Sequence, residues 1–146
     1  MKKILALRPL SLRKVKVAVL QTCSNSPFIG GIKQNLIQLG LPKDNILEIA
    51  LSDFDPSTKT LALGTKRLPI NRWLSATRLC AYIGPGNKYD IPTHDDTPVG
   101  MECFTPPPSS DNRLAFEKLW FQELTKFNIP MLTICGSTQH LGVLAG

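Results

Sequence analysis

Four short stretches of this chain are almost continuously apolar: Val15-Lys-Val-Ala-Val-Leu20, Ile46-Leu-Glu-Ile-Ala-Leu51, Arg78-Leu-Cys-Ala-Tyr-Ile83 and Pro130-Met-Leu-Thr-Ile134. Their length and β-branched content predict strands, and their lack of strict polar alternation predicts a sheet covered on both faces. Between them the apolar period changes to that of a helix. Phe28, Ile32, Leu36 and Leu39 follow Ser26-Pro27, a cap and first-turn pair, and stop at Gly40. Phe116, Leu119, Trp120, Leu124 and Phe127 form a second stripe, with Ser110 or Asp111 as its cap and Trp120 in the core. Strands alternating with helices predict an α/β fold in which Val15–Leu20, Ile46–Leu51, Leu79–Ile83 and Pro130–Ile134 lie parallel in one sheet, with helices on both faces.

The remaining segments are less regular. Residues 52 to 72 open on polar Asp53 and Asp55-Pro56, which suggest a loop, while Leu61, Leu63 and Leu68 can pack one edge of a core. Gly30-Gly31 has no phosphate-loop spacing around it. Thr93 to Ser110 is rich in proline and short polar residues and reads as a long surface loop. Within it, His94-Asp95-Asp96 brings a histidine to carboxylates but lacks a completing metal ligand nearby. Cys80 is expected in mid-strand and buried.

Composition narrows the class. A length of 146 residues suits one domain with a core of its own, and 42% apolar residues with mean hydropathy of −0.01 describe a globular chain without a membrane-length apolar run. The net charge of +6 is uneven: eight Lys or Arg precede the first acidic residue, Asp44. Residues 1–14 therefore read as a basic leader, and 15–146 as the folded domain. No aromatic residue interleaves with those charges, which argues against a nucleic-acid partner. Cys23, Cys80, Cys103 and Cys135 are scattered, with no C-x-x-C pair for a metal or redox site. Reduced thiols and a cytoplasmic location follow, with no cofactor and no membrane partner expected.

The chemistry concentrates at the end of the chain. After the last apolar run comes Cys135, then Gly136-Ser137-Thr138, then Gln139 to Ala145, which can run as a helix. This is the strand–nucleophile–helix layout of a nucleophile elbow. A helix N-terminus under the sulfur favours a thiolate and can hold an oxyanion. Ile129-Pro-Met-Leu-Thr-Ile-Cys135-Gly-Ser-Thr-Gln139 resembles the I-P-x-L-G-I-C-x-G-x-Q segment of class I glutamine amidotransferases, in particular their γ-glutamyl-γ-aminobutyrate hydrolase-like peptidase branch. Asp111-Asn-Arg-Leu-Ala-Phe116-Glu117 resembles the helix that leads into it, and Gly84-Pro85-Gly86-Asn87 stands where that family has a Gly-Gly turn.

The resemblance implies a flavodoxin-like domain and a peptidase-like hydrolase of γ-glutamyl amide bonds. Cys135 would be the nucleophile and Gln139 a substrate-binding residue. Gly136 N–H, with Gly86 or Asn87 N–H, would form the oxyanion hole, because Pro85 has no N–H to give. The implied partner is a small γ-glutamyl or glutamine-like substrate. Two departures stand out. Thr133 and Ser137 occupy the family's glycine positions on either side of the cysteine, where bulk is expected to hinder a tight turn. The family's His and Glu partners also lie well past the cysteine, whereas this sequence runs eleven residues beyond it. Of the two histidines, His94 lies in another loop and His140 is turned to another side of the helix. The expectation is a truncated domain, incomplete at its C-terminal side and inactive alone, whose open sheet edge favours self-association or a complementing chain. The alternative expectation is a degenerate, non-catalytic binding or interaction module on the same fold.

Overall fold

A computed structural model describes residues 12–21, 27–86 and 109–145. Its centre is a parallel sheet of four strands. The strands β1 (Val17–Gln21), β2 (Ile46–Ala50), β6 (Ala81–Gly84) and β7 (Met131–Thr133) lie in the order β2-β1-β6-β7, with every neighbouring pair parallel. The strand β1 is central, and all four residues of its Val-Ala-Val-Leu run are buried. That explains its unbroken apolar character: neither of its faces meets water.

The two faces carry separate cores. On one, Val17, Val19, Ile46 and Ile83 pack with Ile29 and Leu41 against helix α1 (Pro27–Gln38). On the other, Ala18, Leu20, Ile49 and Tyr82 meet α2 (Ile70–Thr77) and α3 (Ser109–Lys126), and Leu141 of α4 (Gly136–Ala145) packs on their edge. Trp120 is fully buried there, with ring centroids of Phe116, Trp73 and Tyr82 5.3, 5.5 and 5.6 Å away. Phe116 stacks on Trp120 while Trp73 and Tyr82 meet it edge-on, and such contacts add to what burial alone supplies. The expected α/β arrangement, with a parallel sheet between helices, is the one observed.

Helix ends account for several departures from the sequence reading. Gly40 (φ +93°) ends α1: its N–H bonds to Ile37 O at 2.9 Å and that of Leu41 to Leu36 O at 3.0 Å. This double reversal seats Leu41 against Leu36 in the core and leaves Leu39, expected on the inner stripe, 74% exposed. Asn128 (φ +53°) ends α3 in the same way, with Asn128 N–H on Thr125 O and Ile129 N–H on Leu124 O. Phe127 is thereby turned out, and Phe121 is buried in its stead. The helix α3 starts at Ser109, so Ser110 and Asp111 fall in its first turn rather than before it.

Residues 54–69, whose polar start suggests a loop, instead form an antiparallel sheet, β3 (Phe54–Asp55), β4 (Thr60–Leu63) and β5 (Lys66–Pro69), followed directly by α2. Leu61 is buried and Leu63 and Leu68 are partly so, as their pattern predicts. The Trp73 indole N–H donates to Ala62 O at 2.9 Å and fastens α2 to β4. The β3–β4 turn is held by Asp55, whose Oδ1 accepts from Ser57 N–H (2.9 Å), Ser57 Oγ (2.6 Å) and Thr58 N–H (3.4 Å). The Ser57 hydroxyl first, then the Thr58 side chain, with the backbone N–H groups adding to them, lower the Asp55 carboxyl to about 2.

Two strand expectations need correction. Pairing of β6 begins at Ala81, so Cys80 is not a buried mid-strand residue; it precedes the strand at the amino-terminal end of the sheet and is exposed. The strand β7 is not buried on both faces. It is an edge of the sheet, and Leu132, which pairs with Ile83, is 58% exposed. The basic leader falls mostly outside the described residues. Its last three, Leu12–Lys14, form a single helical turn whose Leu12 and Arg13 carbonyls accept from Asn45 Nδ2 at 3.5 and 3.0 Å. Among the described residues no helix is long and apolar enough to cross a membrane.

Candidate active site

The carboxyl ends of β6 and β7 meet at Cys135. Ile134 N–H bonds to Gly84 O (2.9 Å) as the last rung of the sheet, and α4 begins at Gly136, with Gln139 N–H on Cys135 O at 2.9 Å. One residue therefore separates the sheet ladder from the helix. That residue, Cys135, takes the left-handed backbone at φ +48° and is exposed. For a residue with a Cβ this conformation costs about 1–2 kcal/mol, and it marks the sharp strand-to-helix turn predicted from sequence. Gly136 N–H, at the free end of α4, donates to no described residue.

The Gly84-Pro85-Gly86 turn runs alongside. A Cβ on Gly86 would sit 3.2 Å from Cys135 Cβ and 3.9 Å from its sulfur; one on Gly84 would fall 2.5 Å from Ser137 Oγ. Gly84 is thus what lets α4 close on β6. Thr133 and Ser137, expected to hinder a tight turn, do not do so. The left-handed residue is Cys135 itself, and neither Thr133 nor Ser137 has positive φ. Ser137 is fully buried in the space that Gly84 leaves, and Thr138 Oγ1 donates to Thr133 Oγ1 at 3.1 Å. Larger side chains are therefore compatible with the turn.

Beneath the elbow lies a buried polar cluster that the sequence reading did not pick out. Arg113 on α3 is 2% exposed and Glu117, one turn on, is fully buried. Arg113 Nε donates to Glu117 Oε2 (3.2 Å), Nη1 to Gly86 O (3.3 Å) and Nη2 to Pro85 O (2.8 Å) and Ser137 Oγ (2.9 Å). The Ser137 hydroxyl in turn lies 2.5 Å from Glu117 Oε1 and 3.1 Å from Pro85 O, its one proton divided between them. Tyr82 OH donates to Glu117 Oε1 at 3.4 Å. Burial, and next the Glu117 carboxylate, push the Tyr82 phenol far above its ordinary value, so it stays a neutral donor. The sequence signal for this cluster was faint. Arg113 and Glu117 sit at the inward spacing of Phe116, Trp120 and Leu124, where a helix stripe calls for apolar residues.

The structure brings Cys135, Gly136, Gly86 and Gln139 together at one end of the sheet. Gln139 Oε1 is shielded from water and has no described partner. No described side chain hydrogen-bonds to the Cys135 sulfur. Asn87 and the cluster His94-Asp95-Asp96 lie outside the described residues, as do Cys23 and Cys103; His140 lies within α4. Among the described residues no group of three or more His, Cys, Asp or Glu is placed to hold a metal. Compared with protein-family models, with curated proteins and with solved structures, the chain matches none.

Proposed function

We propose that Cys135 is the nucleophile of a glutamine amidotransferase-like hydrolase acting on γ-glutamyl amides. The observation that carries this reading is the left-handed Cys135 set between a parallel strand and a helix N-terminus, with Gly86 packed against its Cβ. Counted in chain order, the parallel strands run 2-1-3-4, which supports a flavodoxin-like assignment, and ligands of such sheets bind at the carboxyl ends of the strands. The Cys135 thiolate attacks the γ-amide carbon and the carbonyl pair moves to oxygen, where Gly136 and Gly86 N–H groups receive it. The amine leaves with a proton, a thioester forms, and water releases the γ-carboxylate and the thiol.

That sequence needs a group to carry the proton, which is worth roughly 10²–10⁴-fold, and no described group stands against the sulfur to do so. An aryl γ-glutamyl ester, whose leaving group departs without a proton, separates nucleophile from base. The 146-residue chain is expected to gain one γ-glutamyl adduct by mass spectrometry, lost in Cys135→Ala, while releasing no Cys135-dependent ammonia from glutamine in steady state. The second reading, a non-catalytic binding module, is favoured by the sulfur's lack of a described partner. Absence of any adduct on Cys135 decides for it.

A further inference from the structure

We propose that Arg113, held by Glu117 and Ser137, is a positioning residue that fixes the Pro85–Gly86 peptide so that Gly86 N–H serves as an oxyanion donor. This rests on reading Cys135 as the nucleophile. The peptide is trans, so its carbonyl oxygen and N–H point to opposite sides. The oxygen is drawn inward by Arg113 Nη2 at 2.8 Å, with the Ser137 hydroxyl at 3.1 Å, and Gly86 O is drawn the same way by Nη1 at 3.3 Å. Gly86 N–H therefore faces away from the buried cluster, while Gly86 itself abuts Cys135. Pro85 cannot donate, so Gly86 is the first residue of the turn able to do so.

The guanidinium suits this task because its planar fork reaches two successive carbonyls and a carboxylate at once. Glu117 fixes the fork through Nε, and Ser137 Oγ accepts from Nη2. The Arg113–Glu117 pair is neutral as a unit, so its effect on the site is one of position rather than field. The three residues come from α3 and the start of α4, and the peptide they hold follows β6. The cluster thus ties the two halves of the anion site to each other.

Two alkylating probes isolate the effect. Iodoacetamide reacts with sulfur by direct displacement of iodide and develops no oxyanion. A glutamine-derived chloromethyl ketone is first attacked at its carbonyl carbon: sulfur bonds to carbon, the carbonyl pair moves to oxygen, and chloride leaves as sulfur transfers to the methylene carbon. The ratio of the two rates at Cys135, read by peptide mass spectrometry, reports oxyanion stabilisation. Cys80, exposed at the opposite end of the sheet, is the control in the same chain.

Arg113→Lys, which keeps the charge but loses the fork, is expected to lower the Cys135 ratio roughly tenfold or more, as loss of an oxyanion donor does. Ser137→Ala is expected to lower it by a smaller factor, with the Cys80 ratio unchanged in both. If Arg113→Lys alters Cys80 or near-ultraviolet circular dichroism, it has lost its fold and Ser137→Ala decides. A wild-type ratio retained in the folded variants overturns the proposal and leaves the nucleophile reading intact. A wild-type Cys135 with no more preference for the ketone than Cys80 overturns the nucleophile reading instead.

Discussion

At Gly84 the reason for glycine is space rather than backbone freedom, since its φ is not positive. A methyl group there would meet Ser137 Oγ at 2.5 Å and Ser137 Cβ at 2.7 Å, both on the first turn of α4. Ser137 is fully buried and cannot swing clear, so strand and helix would have to part. Gly84→Ala is therefore expected to lower unfolding free energy by about 1–3 kcal/mol, as overpacking does, by urea titration. In a Ser137→Gly background the same change should cost far less, because the atoms it strikes are gone. Equal costs in both backgrounds would show that Ser137 is not what crowds Gly84.

Among the elements, α3 carries two ion pairs of opposite standing. Arg113–Glu117 is buried with 3% and 0% side-chain exposure, whereas Glu123–Lys126 has its lysine 66% in solvent. Both join residues one helical turn apart, yet their consequences differ with dielectric. Lys126→Ala is expected to change stability by no more than ~0.5 kcal/mol. Glu117→Ala strands Arg113 away from water and should cost about 3–5 kcal/mol, with Tyr82 and Ser137 also losing their shared acceptor. Chemical denaturation of the two variants side by side tests this. A Glu117→Ala chain as stable as Lys126→Ala would mean that Arg113 finds water or a new partner.

For the molecule as a whole, β7 is one of the two edges of the parallel sheet, opposite β2. Its outward backbone groups are those of an edge strand, and Leu132 adds an apolar side chain to it. A charged residue here discourages edge-to-edge pairing. We propose that this edge drives self-association: Leu132→Lys is expected to reduce it in sedimentation velocity and to leave the thermal midpoint within a few degrees, since little burial is lost. Unchanged association would place the contact elsewhere on the chain.

Most of the parallel sheet was legible in the amino-acid order, because an apolar run with no polar alternation leaves no face for water. Val17 to Leu20 could hardly be anything but a central strand. The elbow was legible for a local reason too: an apolar strand, one cysteine, a glycine and a helix follow within a few residues. Helix stops at Gly40 and Asn128 are equally local, but their effect on Leu39, Phe127 and Ile129 depends on how the reversed chain re-enters the core. The polar cluster was not legible, because its members join only across the fold. Arg113 reaches back to Pro85 and Gly86 and forward to Ser137, partners that no spacing along the helix announces. Cys80 and Leu132 were misjudged for the related reason that strand composition does not say where along or across a sheet the helices stop covering it. Sequence alone determined the four parallel strands, the helices α1 and α3 and the place of the strand-to-helix turn; only the packing of α3 and α4 onto the ends of β6 and β7 decided what stands beneath Cys135, since that environment is made by contacts between residues far apart in the chain.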